Sequence, residues 1–298
     1  MPDSLDHLAP DYRAIAQRPN EERIRWILSD RWVAYRVADL IHERLHFLMD
    51  YPERGCMPCL FIGGEPGMGT SRIAEKFVRD FPTAFNEGTG ATVQPALFVE
   101  IPDDPNPDAM REEIFAAVGA PGGSGDAGQL IRILKSLDCR LLVLDEVNKI
   151  GDVAPKQQRL CLTAIRTLHN KLRVPIIALG TPDAEMTFRL DPQLAERFET
   201  ITLPRWTNSE DLRALLLRLA AILPLHRPSA MDDPRFRRLL MDRTEGVTGR
   251  IFRLIENVAI EAIRSGRESI DESSLSDERL MLPLVSMVRS RRRASSAA

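Results

Sequence analysis

A glycine-rich turn between an apolar run and an amphipathic segment constrains the fold of this chain more than any other feature. The apolar run CLFIGG covers residues 59–64, the turn GEPGMGTS covers 64–71, and the segment RIAEKFVRDF follows at 72–81. Glycine lets the backbone adopt positive φ angles and lets an anion approach the N–H groups, which a Cβ atom would prevent. A helix that begins at such a turn also directs its positive end at the anion. The sequence therefore predicts a strand, a phosphate-binding loop and a helix in succession.

The turn matches the pattern G-x-x-x-x-G-K-[ST] at every defined position except the lysine, where this chain has Thr70. The lysine places a point charge against the β- and γ-phosphates of ATP, whereas threonine offers only a hydroxyl group. We therefore expect weakened nucleotide binding and strongly reduced hydrolysis rather than loss of the site. Ser71 is expected to give its hydroxyl to Mg²⁺. The candidate ATP-binding residues of the loop are Gly64, Glu65, Pro66, Gly67, Met68, Gly69, Thr70, Ser71 and Arg72.

Two adjacent carboxylates end a second apolar run, RLLVLDE at residues 140–146. Burying both charges would be costly unless a cation or a reaction used them. Asp145 suits an indirect contact with Mg²⁺, and Glu146 suits orienting and deprotonating the water that attacks ATP. The alternatives are a solvated carboxylate pair and an ordinary glycine turn, and both lose weight because the two motifs occur together in this order.

Three further runs, at residues 96–101, 174–180 and 198–204, have strand character, and amphipathic stretches separate the first four of the five runs. This rhythm predicts β-α-β units with buried parallel strands. Residues 20–50 predict two helices with a break near Ser29 and Asp30, and the chain beyond 204 is helical. The expected fold class is α/β, with a five-stranded parallel sheet sandwiched by helices and followed by a small all-helical lid.

The predicted division of the chain follows from these patterns. Residues 1–50 form N-terminal helices that pack on the nucleotide domain, 51–204 form that domain, and 205–285 form the lid. Thr207 and Glu210 have capping-box spacing and mark the start of the first lid helix. Residues 286–298 form a basic tail without regular structure, because its arginines have no apolar period. These arginines are Arg289, Arg291, Arg292 and Arg293.

Composition excludes several classes of protein. Hydrophobic residues make up 44% and charged residues 28% of the 298 residues, which is typical of a soluble globular protein and not of a disordered or fibrous one. The net charge of -3 means that a DNA-binding surface must be a local patch. No apolar run approaches the ~18 residues that span a bilayer and no export signal is present, so we expect a cytoplasmic protein with no membrane partner.

The four cysteines fit a reducing compartment. Cys56 and Cys59 form a C-x-x-C pair, which is either redox-active or half of a zinc site, but no second pair follows to complete four ligands.

Six segments together resemble the AAA+ superfamily and, within it, the TniB family of transposition regulators, relatives of TnsC. The similarity covers most of the chain, and the segments that carry it are NEERIRWILSDRWVAYRV, CLFIGGEPGMG, LLVLDEVNKI, VPIIALGTPDA, DPQLAERFE and LPRWTNSEDLRALLLRLAAILPLHRPS. The resemblance implies an ATP-dependent adaptor that polymerises as a ring or helix on double-stranded DNA. It also implies two protein partners: a DDE transposase (TniA-like) that is recruited or activated, and a TniQ-like protein that supplies target-site information.

The resemblance also assigns roles to individual residues. Thr181 matches sensor 1, Arg197 matches the arginine finger that reaches the nucleotide of the neighbouring subunit, and Arg250 matches sensor 2 of the lid. Each arginine has the alternative of a solvated or salt-bridged surface group. Trp32, with Val33 and Tyr35, matches the segment that covers the adenine, although ordinary packing explains such residues equally well.

The DNA-binding candidates are Lys149, Lys156 and Arg159, which follow Glu146 in the segment that lines the pore in related assemblies. A solvated face is the alternative for each. Two other functions stay open at this point. One is a helicase loader or remodelling ATPase with the same fold, and the other is a degenerate scaffold that uses no nucleotide, which Thr70 favours.

Overall fold

The computed structural model describes residues 5–88, 90–120 and 126–276. The predicted basic tail and the last residues of the predicted lid lie outside the described residues. The chain divides into two compact units. One is the α/β unit Val37–Pro204, and the other combines the described residues of Met1–Arg36 with those of Arg205–Ala298.

The helices and strands have the following bounds. The strands are β1 (Cys59–Gly64), β2 (Ala84–Asn86), β3 (Ala91–Val93), β4 (Ala96–Glu100), β5 (Leu141–Asp145), β6 (Ile176–Gly180) and β7 (Phe198–Leu203). The helices are α1 (Pro10–Ala16), α2 (Asn20–Leu28), α3 (Arg36–Met49), α4 (Thr70–Arg79), α5 (Pro107–Ala117), α6 (Ala127–Ser136), α7 (Pro155–Leu172), α8 (Ala184–Phe188), α9 (Pro192–Ala195), α10 (Glu210–Ile222), α11 (Pro234–Thr244) and α12 (Thr248–Arg264). Short 3-10 helices cover Val147–Asp152 and Glu272–Ser276.

The α/β unit is built on a five-stranded sheet with the order β4-β5-β6-β1-β7, in which every neighbouring pair is parallel. All residues of β1 and β5 are buried, as expected for strands whose two faces are covered by helices. The five predicted runs coincide with these strands to within two residues, and the predicted fold class is confirmed. The small antiparallel hairpin of β2 and β3 was not predicted.

The parallel arrangement determines which loops meet. Gly63 of β1 pairs with Gly180 of β6, and Leu144 near the end of β5 pairs with Ala178. The carboxyl ends of β1, β5 and β6 therefore lie at one edge of the sheet, where the glycine-rich turn, the two carboxylates and Thr181 follow.

The helical unit joins the first two helices to the C-terminal ones. Arg23 of α2 is fully buried and donates to the backbone oxygen of Pro224, with Nε at 2.9 Å, and to Oε1 of Glu268, with Nη1 at 2.9 Å. Arg31 pairs with Glu256 of α12 at 3.1 Å. Because a buried guanidinium without these partners would be strongly destabilising, the chain up to Arg36 belongs with the C-terminal helices. Of residues 1–50, which the sequence patterns group with the nucleotide domain, those from Val37 onward lie in the α/β unit and the described residues before it lie in the helical unit.

Two local features of this unit relate to the sequence patterns. The predicted helix break is present, since α2 ends at Leu28 with Ser29 as its C-cap. The first C-terminal helix begins at Glu210, but its N-cap is Ser209, whose hydroxyl accepts from the N–H of Leu212 at 3.4 Å. The expected cap at Thr207 is therefore wrong. Across the described ranges, no helix has the length and apolar character needed to cross a membrane.

Candidate nucleotide-binding site

The loop between β1 and α4 has a backbone that depends on glycine. Gly67 and Gly69 have φ angles of 85° and 92°. A Cβ atom on Gly64 would lie 2.8 Å from the Thr70 methyl carbon and 3.3 Å from Cβ of Met68, which is itself buried. The loop therefore folds closely over the end of β1, as the sequence predicts.

The start of α4 is suited to an anion. Its N-cap is Gly69, which has no side chain that could cap the first N–H groups of the helix. The first N–H groups of a helix have no partner within the helix, and the positive end of its dipole favours a negative charge. A phosphate group fits this requirement.

Asp145 is the last residue of β5 and is only 7% exposed. Burial raises the pKa of Asp145. Hydrogen bonds donated to its carboxylate by the hydroxyl of Ser71 and the N–H of Glu146 counteract this increase, and the nearby charges of Glu146 and Glu100 raise the pKa further. The N–H of Glu146 lies 2.8 Å from Oδ1. Asp145 has no cationic partner among the described residues. A buried carboxylate beside a hydroxyl, with no positive charge to balance it, fits a Mg²⁺ ion.

Glu146 has a backbone conformation that is uncommon for a residue with a side chain, with φ 56° and ψ 37° in the left-handed region. Such strain costs on the order of 1 kcal/mol and often occurs at functional sites. Oε2 of Glu146 accepts a hydrogen bond from Nδ2 of Asn148 at 3.1 Å. Sequence reasoning missed Asn148, although it lies two residues after the acidic pair.

Thr181 follows β6 at the same edge of the sheet and is half-buried. The preceding Gly180 has no room for a side chain, because a Cβ atom would lie 3.1 Å from both Oδ1 of Asn148 and Cγ2 of Val147. The end of β6 therefore packs closely against the turn after β5. The structure thus brings Thr181 to the same edge as Ser71, and its role as sensor 1 stays a prediction.

Arg197 lies at the opposite edge of the sheet. Its backbone oxygen accepts from the N–H of Cys59, at the start of β1, with a distance of 2.9 Å. β1 has six residues, so its two ends are separated by roughly 17 Å at ~3.3 Å per residue. Arg197 is therefore remote from the loop of its own chain, as a residue that acts on a neighbouring subunit would be.

Arg250 lies in the first turn of α12, in the helical unit. Its Nη1 donates to Oε2 of Glu245 at 2.5 Å, so in this structure Arg250 is a salt-bridged group. Val33 and Tyr35 are each 7% exposed within the same unit. Their side chains are therefore packed inside that unit, which agrees with ordinary packing, the alternative to covering the adenine.

Trp206, which sequence reasoning did not single out, organises this region of the helical unit. Its ring centroid lies 5.2 Å from that of Tyr35, and its Nε1 donates to the hydroxyl of Thr248 at 3.0 Å. Gly246 has a φ of 70°, and a Cβ atom there would lie 2.3 Å from the backbone oxygen of Trp206. These contacts fix the start of α12, which carries Arg250.

The three DNA-binding candidates differ in their surroundings. Nζ of Lys149 lies 2.8 Å from Glu100 and from Asp103, and 2.9 Å from the backbone oxygen of Ile101. Burial works to lower the pKa of Lys149, but the hydrogen bonds to Asp103 and Glu100 outweigh it and hold the pKa above its ordinary value. Because an ammonium group has three donors, Lys149 is saturated within the chain. In this structure the charge of Lys149 is therefore used within the chain, and its contact with DNA stays a prediction.

Lys156 and Arg159 have different surroundings from Lys149. Both are exposed in the first turns of α7, three residues apart, and neither pairs with a carboxylate in the described ranges. Their charges are available to an external anion.

The cysteines are unpaired, and burial raises the pKa of both Cys59 and Cys139 to about 12, while Cys56 is exposed. In residues 5–88, 90–120 and 126–276, no group of three or more His, Cys, Asp or Glu side chains is arranged to hold a metal ion.

The sheet order, the glycine loop after β1 and the carboxylates after β5 define an AAA+ P-loop ATPase fold. The chain belongs to the TniB family, since the family model described as Bacterial TniB protein matches residues 23–208, more than half of the chain. None of the curated protein sequences matches the chain.

Three solved structures illustrate the fold. The Orc1 protein of Aeropyrum pernix in complex with DNA is 19% identical, with 87% of this chain and 69% of that chain covered and a TM-score of 0.60. Cdc6p of Pyrobaculum aerophilum is 20% identical, with 82% and 67% covered and a TM-score of 0.58. Domain III of the replication initiation protein DnaA of Thermotoga maritima is 14% identical, with 95% and 99% covered and a TM-score of 0.52. At these identities the likeness establishes the fold alone.

Proposed function

We propose that this protein is an ATP-dependent regulator of transposition that assembles on double-stranded DNA and recruits or activates a DDE transposase. The observation that carries the proposal is Asp145, a buried carboxylate with no cationic side chain beside it among the described residues, which accepts from Ser71 in the first turn of α4. Such a site is costly to keep unless Mg²⁺ and a phosphate occupy it. Membership of the TniB family supports transposition as the process that this switch serves.

The chain's own residues divide the work of the site. The N–H groups of the glycine loop hold the phosphates, and Ser71 with Asp145 holds the metal ion. Mg²⁺-ATP, when bound, would supply the phosphoanhydride bond that water cleaves. Glu146 orients and deprotonates that water, while Asn148 restrains its carboxylate. Without the loop lysine, hydrolysis is reduced more strongly than binding, so ATP is cleaved only slowly while it is bound.

Assembly follows from the positions of two groups on the α/β unit. The glycine loop and Arg197 lie at opposite edges of one sheet, so copies stacked in the same orientation would bring Arg197 of one copy to the nucleotide of the next. Nucleotide binding would then favour a ring or helical homo-oligomer. Lys156 and Arg159 contribute phosphate contacts to DNA, and a TniQ-like protein supplies the target site.

A second candidate, a scaffold that uses no nucleotide, is favoured by Thr70. Fluorescence anisotropy of a labelled duplex separates the two. We expect Mg²⁺ with a non-hydrolysable ATP analogue to tighten binding at least tenfold, and Ser71→Ala to remove this effect. Equal binding with and without the analogue would establish the scaffold instead.

The same assay tests the DNA surface. Replacing Lys156 and Arg159 with glutamine should weaken binding in every nucleotide state and reduce the salt dependence by about one released ion per charge. Lys76→Gln is the matched control, because Lys76 of α4 already pairs with Asp80, the C-cap residue of that helix. An effect of the control as large as that of the double variant would contradict the assignment.

A further inference from the structure

The side chain of Arg197 makes two hydrogen bonds through one nitrogen. Nη1 donates to Nδ1 of His169 at 2.7 Å and to Oδ1 of Asn170 at 2.6 Å, two consecutive residues near the end of α7. A terminal guanidinium nitrogen carries two hydrogens, so these acceptors saturate Nη1. Nε and Nη2 have no acceptor within the described part of the chain. This second edge is the one that can bind a phosphate with two parallel hydrogen bonds.

His169 is held so that it can only accept from Arg197. Its ring is 1% exposed, and Nε2 donates to the backbone oxygen of Met57 at 3.0 Å. With the proton on Nε2, the lone pair on Nδ1 faces the guanidinium. Burial lowers the pKa of His169, and the charge of Arg197 lowers it further, so the ring is neutral at physiological pH.

The backbone of Arg197 is fixed as well, because its carbonyl oxygen accepts from the N–H of Cys59 at the start of β1. Contacts within the α/β unit therefore fix the position of the Arg197 backbone and of Nη1 at one end of its guanidinium. A long side chain that is ordered before an encounter loses less freedom when it binds.

We propose that His169 and Asn170 are positioning residues, which orient Arg197 so that its Nε–Nη2 edge meets the terminal phosphate of the nucleotide bound by a second copy of this chain. This inference rests on the proposed function, in which Arg197 acts on the neighbouring subunit. The other meaning of the same contacts is purely structural, with His169 tying α7 to Met57 and the arginine bonded incidentally.

Two substitutions of His169 separate these meanings. His169→Asn keeps an acceptor near the position of Nδ1 and loses the donor to Met57. His169→Gln keeps a donor near the position of Nε2 and loses the acceptor for Arg197. The readout is the protein concentration at half-maximal assembly on duplex DNA with Mg²⁺ and a non-hydrolysable ATP analogue, measured by sedimentation. Melting temperature and binding of a fluorescent ATP analogue by the unassembled chain are measured alongside.

We expect His169→Gln to raise the half-maximal concentration about tenfold and His169→Asn to raise it less than threefold, with unchanged nucleotide binding by the unassembled chain. In an Arg197→Ala background, His169→Gln should have no further effect. Asn170→Ala, at an exposed position, should raise the concentration about threefold and carries the test if His169→Gln lowers the melting temperature.

Equal effects of the two His169 variants, or an effect of His169→Gln that persists without Arg197, would overturn the inference while leaving the function intact. Improved assembly of His169→Gln would also overturn it, since the contact would then restrain Arg197 from its target. If Arg197→Ala itself assembles like the unmodified chain, the proposed role of Arg197 fails, and the inference fails with it.

Discussion

Restoring the missing lysine is the perturbation that tests the chemistry of the loop most sharply. Thr70 is half-buried at the first position of α4, and its methyl group lies over Gly64. In Thr70→Lys, an ammonium placed about 4 Å from a phosphate charge gains about 4 kcal/mol at an effective dielectric constant of about 20. Ordering the lysine side chain costs up to about 2 kcal/mol. The difference of about 2 kcal/mol corresponds to a roughly 30-fold gain in ATP affinity.

The measurements are equilibrium binding of a fluorescent ATP analogue and release of inorganic phosphate. Turnover should rise by more than affinity, because the added charge also stabilises the phosphoryl group as negative charge develops during cleavage. Thr70→Met is the matched control, since it supplies a similar length without charge, and it should change neither quantity more than threefold. If Thr70→Lys binds and hydrolyses ATP no better than the control, the reasoning that places phosphate against this position is wrong.

Three further changes have defined outcomes. Burial raises the pKa of Asp145, so its ionised form destabilises the folded protein once the pH exceeds the pKa of the unfolded chain, about 4. Asp145→Asn should therefore stabilise the nucleotide-free protein by about 1 kcal/mol and remove the increase in melting temperature caused by Mg²⁺-ATP. A lower melting temperature without nucleotide would contradict this. Asn148→Ala should reduce ATP turnover about tenfold at unchanged affinity, because it releases the carboxylate that activates water; an equal loss of affinity would show a different role. Gly246→Ala should cost about 3 kcal/mol in urea unfolding, because its Cβ atom would lie 2.3 Å from the oxygen of Trp206, whereas Gly266→Ala, with a similar φ of 71° and nothing within 4 Å, should cost about 1 kcal/mol. Equal costs would contradict the steric argument.

The sheet could be predicted from sequence because buried parallel strands are continuous apolar runs, and CLFIGG and RLLVLDE are typical of them. The hairpin of β2 and β3 escaped prediction because each strand has three residues and β2 is exposed throughout, so neither has an apolar pattern. The association of the residues before Val37 with the C-terminal helices also escaped, because it depends on the pairing of Arg23 with Glu268 across most of the sequence.

The centre of the candidate site follows from local spacing, since Asp145 ends β5 and Ser71 lies in the first turn of the helix that follows β1, and the carboxyl ends of these strands meet. Residues that act through distant partners could not be found in this way. Lys149 is saturated by carboxylates at the end of β4 and just after it, and the role proposed for His169 depends on Met57 and Arg197, which reach it only in the folded chain. A sequence pattern shows the charge of such residues but not what neutralises or orients it.

Electron microscopy of the protein on duplex DNA, with and without Mg²⁺ and a non-hydrolysable ATP analogue, tests the central claim most directly. We expect ordered assemblies only when Mg²⁺ and the analogue are present. In each copy of the chain, the triphosphate should lie in the loop that begins at Gly64 and the metal ion beside Ser71, with Arg197 of the adjoining copy at the terminal phosphate. Assemblies that form equally well without the analogue, or whose glycine loops hold no nucleotide when it is present, would contradict the account.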